Sequence, residues 1–129
     1  MKIHATRLLP DSDLKNEILC FMKSKKISAG IILSSVGSLK TANLRLSDQK
    51  TGTVFQGPFE ILSLNGTLSE NGLHLHMSIS DSSGKTIGGH LLDGCLIHTT
   101  CELVIGEILN TLFTRELDTV TNYMELKIK

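Results

Sequence analysis

Three histidines carry the clearest chemistry in this chain: His74, His76 and His90. His74 and His76 belong to the run Leu73-His74-Leu75-His76-Met77-Ser78-Ile79-Ser80. Its strict alternation reads as a β-strand with Leu73, Leu75, Met77 and Ile79 on one face and the histidines and serines on the other. Two imidazoles on the same strand face stand roughly 6–7 Å apart at Cβ, close enough for their nitrogens to converge on one cation. A hairpin through the Asp81–Gly84 turn brings His90 alongside as a third ligand. Neutral imidazoles suit zinc, and also iron, nickel or copper, and three protein ligands leave one coordination position open. The plainer reading is a pair of exposed histidines on a polar strand face. Gly88-Gly89 before His90 allows close backbone approach and so favours a shaped pocket.

Two carboxylates accompany them. Glu60 and Glu102 stand in otherwise apolar strand runs. Each is a candidate for a buried carboxylate, a hydrogen-bond partner of a ligating histidine, or a general base; the alternative is a carboxylate at a sheet edge or subunit interface. His98 shares strand parity with Glu102, and His4 reads as a surface residue. No Walker loop, GxGxxG, GxSxG or zinc-finger cysteine spacing is present, which leaves nucleotide-binding, serine-hydrolase and zinc-finger readings without support.

The elements that position these residues follow from periodicity. Lys2 to Leu9 reads as a strand ended by Pro10. A helix begins near Asp13, capped by Asp11 or Ser12, with Leu14, Ile18, Leu19 and Met22 at helical spacing and lysines at its end. Ala29–Val36 and Ala42–Leu46 read as two strands, with turns at Gly52 and Gly57-Pro58. Phe59–Leu68 is a strand that Asn65-Gly66 bends, and Asn71-Gly72 is a hairpin signal. Further strands cover Ile87–Leu92 and Cys95–Ile105, and a second short helix is expected over Gly106–Phe113. Arg115–Asp118 reads as a strand end, and Met124–Ile128 as a strand closing the sheet. The expected fold is α+β over residues 1–129: a mainly antiparallel, barrel-like sheet with an N-terminal helix, and the short second helix, packed on it.

Composition sets limits on partners. The 129 residues hold 13 Lys or Arg and 13 Asp or Glu, so bulk charge gives no grip on phosphate. The charges are unevenly spread: eight basic against three acidic residues in 1–46 give +5, and five against ten in 47–129 give −5. With no long apolar stretch and no signal-peptide pattern, the expectation is an intracellular protein, cytoplasmic or nuclear, with no membrane partner. Cys20, Cys95 and Cys101 are too few and too far apart for a disulfide framework and read as small buried apolar side chains.

Several segments taken in order carry a resemblance: Arg7-Leu8 with Asp13-Leu14, Ala29-Gly30-Ile31-Ile32, Val36-Gly37-Ser38-Leu39, Gly57-Pro58-Phe59-Glu60-Ile61-Leu62-Ser63-Leu64-Asn65-Gly66, His74-Leu75-His76, Gly88-Gly89-His90-Leu91 and Arg115-Glu116-Leu117-Asp118. Together they resemble the PPC domain family (plants and prokaryotes conserved, DUF296), single-domain type, over nearly the whole chain. The resemblance implies a small α+β domain that assembles as a homotrimer, and a histidine cluster that holds a metal, falling here on His74, His76 and His90. Plant members join this domain to AT-hooks that read the DNA minor groove, while the domain itself mediates protein association. This sequence has no Arg-Gly-Arg-Pro core, and its only arginines, Arg7, Arg45 and Arg115, are dispersed, which argues against direct DNA binding.

Three functional expectations result. The first is a homotrimeric module that binds a metal such as zinc, another ligand or partner proteins through a His-lined pocket. The second is a metal-dependent enzyme with the three histidines as ligands and Glu60 or Glu102 as base. The third is a DNA-associated regulator acting through a partner. Bound metal with a substrate-sized cavity favours the second, and steep salt-dependent binding to duplex DNA favours the third.

Overall fold

Period-two runs of Ile, Leu and Val dominate the chain, which folds as eight strands and one helix. The structure, a computed structural model, describes residues 1–129. In chain order the elements are β1 (Lys2–Leu8), α1 (Leu14–Lys25), β2 (Ala29–Arg45), β3 (Thr53–Ser69), β4 (Gly72–Ser80), β5 (Thr86–Leu91), β6 (Leu96–Glu107), β7 (Phe113–Leu117) and β8 (Met124–Ile128). Six strands form an antiparallel sheet in the order β1-β6-β2-β3-β4-β5, and β5 also pairs with the end of β2. The sheet is therefore partly ringed through β2, β3, β4 and β5, with β6 and β1 extending from the ring. The expected α+β class and antiparallel sheet hold; the ring stops short of a closed barrel.

The helix is set by its ends and by one apolar stripe. Asp13 is the N-cap: its Oδ1 accepts from the Asn16 amide at 3.0 Å and its Oδ2 from the Gly94 amide at 2.6 Å, which ties the helix start to the β5–β6 turn. The cap is thus Asp13 rather than Asp11 or Ser12. Lys26 closes the other end in the left-handed conformation, with φ 56°. Leu14, Ile18 and Met22 are buried and join a core built from Ile32, Leu44, Leu68, Leu75, Ile79, Leu103 and Ile105. Each such side chain contributes about 1.5–3 kcal/mol over its exposed state. No helix is long and apolar enough to cross a membrane.

Several expectations change. Ala29–Val36 and Ala42–Leu46 are one seventeen-residue strand, because Gly37 stays in the ladder opposite Ile61 and Cys101. Gly57-Pro58 is no turn. It is a cis peptide within β3, where the β2 register shifts between Leu39 and Thr41 and leaves the proline, which has no amide hydrogen, out of the pairing. The second helix over Gly106–Phe113 is absent. Gly106 pairs with Ile3 and Ile31, and the Ile108 and Phe113 amides donate to the carbonyls of Ala29 and Ser28 at 2.9 and 3.0 Å. Those groups already have partners, so no helix is needed to satisfy them. Met124–Ile128 does not close the main sheet: β8 pairs with β7 in a separate two-stranded sheet. Cys20 is exposed, unlike buried Cys95 and Cys101. His4 is buried, its Nε2 2.7 Å from Glu107 Oε2, so it is no surface residue.

Gly66 is the tightest point in the ladder that holds the histidines. It lies opposite Leu75 with φ 148°, and a Cβ there would stand 1.9 Å from the His74 carbonyl oxygen. Gly66→Ala is expected to destabilise the protein by about 2–4 kcal/mol, read from urea unfolding midpoints, since it combines a strained dihedral with a backbone clash. A loss below about 0.5 kcal/mol would show that the strand pair yields easily.

Candidate metal centre

The alternation of β4 decides where the histidines face. Leu75, Met77 and Ile79 are buried, which turns His74 and His76 to the outer face. β5 then places His90 directly opposite His76, and β2 places Arg45 directly opposite His90. Gly89 makes this closure possible: a Cβ there would stand 2.8 Å from the Arg45 carbonyl oxygen. The three rings gather with centroids 5.0, 5.1 and 5.5 Å apart. One nitrogen of each lies within 4.8 Å of the others, and His74 Nε2 is 3.3 Å from His76 Nε2.

The residues fit a cation on two counts. Zinc–nitrogen bonds of about 2.0–2.1 Å in a tetrahedron set ligand nitrogens about 3.3–3.4 Å apart, which is the spacing His74 and His76 already have. His90 Nδ1 is buried without a hydrogen-bond partner, and a buried polar atom left unpaired is costly.

At His74 and His90 the surroundings favour the neutral imidazole, the form that ligates. Burial pulls His90 down to about 4, helped by the positive charge of Arg45 and by the other two rings. Burial, then Arg115 and His76, lower His74, with Glu125 opposing.

Arg115 is a residue that sequence reasoning did not place here. Its backbone amide donates to Asn71 Oδ1 at 2.7 Å, and its carbonyl accepts from Asn71 Nδ2 at 2.9 Å. Its Nη2 donates to Thr67 Oγ1 at 2.5 Å, and Thr67 faces His74 across the ladder. The available signal was Asn71 in the hairpin turn, a residue type that readily bonds neighbouring backbone. Glu60 and Glu102 are both exposed; neither forms a side-chain hydrogen bond with a histidine. Glu60 lies between Ser38 and Ser80, and Glu102 between Arg7 and Val36. His98 is exposed on β6.

A pH dependence follows. With the His90 pKa depressed, the unfolded chain takes up its proton first as pH falls, so this contribution to stability is whole above about 6.5 and lost as pH drops towards about 4. Urea midpoints of metal-free protein at pH 7 and pH 4.5 should show a smaller acid loss in His90→Gln than in wild type. Equal losses would mean that His90 titrates as it does in the unfolded chain.

Comparison with known proteins shows what the chain as a whole is similar to. The chain is 44% identical over its full length to the bifunctional protein GlmU of Synechococcus sp. (strain JA-3-3Ab). It spans about a fifth of the length of the GlmU relatives it matches. It is 30% identical over 115 residues to AT-hook motif nuclear-localized protein 10 of Arabidopsis thaliana, covering 82% of this chain and 32% of that protein. Among solved structures, a hypothetical protein from Salmonella enterica superposes with a TM-score of 0.97 at 39% identity, covering 99% of this chain and 93% of that one. A metal-containing protein from Archaeoglobus fulgidus superposes with a TM-score of 0.84 at 27% identity, covering 97% and 92%. Residues 1–109 match the model of the Plants and Prokaryotes Conserved domain, and the chain belongs to that family.

Proposed function

We propose that this domain binds a divalent cation, zinc first among the candidates, through His74, His76 and His90, and that it works as a homotrimeric binding module. The observation that carries the metal reading is the convergence of three imidazole nitrogens, one from each of His74, His76 and His90. The likeness to an A. fulgidus protein described as metal-containing supports it. A cation held by three imidazoles supplies a Lewis acid with a position left for a ligand. This chain's residues favour the neutral form at His74 and His90, and the strand register fixes the facing of all three rings. The proposal is one of binding rather than of a reaction, because Glu60 and Glu102 do not contact the rings. Direct DNA contact is not part of it: Arg7, Arg45 and Arg115 lie on β1, β2 and β7, and Arg115 is buried.

Elemental analysis of tag-free protein purified without chelator tests the metal. Near-stoichiometric metal is expected in the wild type and none in the His74→Ala/His76→Ala variant, whose circular dichroism stays native because both side chains point away from the core. A metal-free wild type would sink the reading.

The trimer rests on a separate observation. Val36 on β2 is 60% exposed and Leu62 on β3 is 55% exposed, on neighbouring strands of the central sheet. Apolar side chains exposed on a central sheet face suit an interface with further copies of the chain. Sedimentation should give three times the 14.1 kDa chain mass for the wild type and a smaller species for Val36→Glu. A monomeric wild type would remove the trimer.

A further inference from the structure

We infer that the metal centre is built to take an oxyanion, the phosphate or carboxylate group of a small ligand, gripped by Arg45 and Arg115 beside the open position. This inference rests on the metal reading above. Three neutral imidazoles bring no negative charge to a dication. Arg45 stands opposite His90, and Arg115 reaches the same face through Thr67, the partner of His74. With a dication bound, the two guanidiniums would bring the local positive charge to four, and neither guanidinium is paired with a carboxylate. That balance favours an anionic ligand over a neutral or cationic one.

Arg115 adds a built contact. It is 7% exposed, and its Nε is buried without a hydrogen-bond partner. No carboxylate forms an ion pair with it or with Arg45. A guanidinium with one N–H on Thr67 and a second left free has the fork that oxyanions fill. Arg45 donates only to the Gln49 carbonyl, at a long 3.5 Å, so its head is free to turn.

Calorimetric titration with inorganic phosphate, and separately with acetate, tests this on metal-loaded and metal-free protein. Metal uptake is measured first, in anion-free buffer. At least one of the two anions is expected to bind metal-loaded wild type, and at least ten-fold more weakly to Arg45→Gln and Arg115→Lys, with metal content unchanged in both. Arg45→Gln keeps the test sound if Arg115→Lys loosens the β7 anchor. Metal uptake with no binding of either anion, or with binding that both variants retain in full, overturns the anion site and leaves the metal reading standing. Failure of wild type to take up metal overturns both. Phosphate and acetate together distinguish the two headgroups, the tighter naming the ligand class.

Discussion

The register between β4 and β5 is the constraint on which the site depends. His76 faces His90, and His90 in turn faces Arg45, only because β5 is clamped between β4 and the end of β2. In a strand the side chains alternate strictly, so a one-residue slip of β4 would send His74 and His76 into the core and expose Leu75, Met77 and Ile79. Three buried apolar residues hold that register, at about 1.5–3 kcal/mol each. The geometry of the histidine cluster is thus maintained by groups that never touch it. The glycines serve the same end: Gly66 and Gly89 let β3 and β2 approach backbones that any Cβ would hold off.

What was legible in the sequence is what local periodicity encodes. The β4 alternation, the helix stripe and the turn at Asp81–Gly84 all show at short range, and so did the pairing of two histidines on one face. What was not legible depends on distant partners. Gly106–Phe113 has the apolar spacing of a helix, but β1, β2 and Ser28 already bond its backbone. Gly37 and Gly57-Pro58 resemble punctuation, yet they lie inside long ladders. His4 looked like a surface residue because its partner, Glu107, is 103 positions away. Arg115 was invisible as a site residue for the same reason: its place depends on Asn71 and Thr67, 44 and 48 positions back. The histidine triad was readable because two of its members are two residues apart and the third lies one hairpin on.

Packing alone does not account for the face that carries the triad. Buried polar atoms in native proteins nearly all find partners. Here the buried side-chain atoms without one are Asn43 Oδ1, His90 Nδ1 and Arg115 Nε. Elsewhere the rule holds: His4 has Glu107, Ser35 has Cys101 and Ser69 has the Gly72 carbonyl. Two of the three exceptions, His90 and Arg115, belong to the triad and its flank; the third, Asn43 on β2, lies against the β5–β6 turn, where its Nδ2 donates to the Asp93 carbonyl at 2.8 Å. At that cluster, pairing within the chain supplies no partner for either His90 Nδ1 or Arg115 Nε. A cation on the imidazoles and an anion on the guanidiniums would supply what two of the three exceptions lack. Left empty, those two groups cost stability that a bound ligand would return.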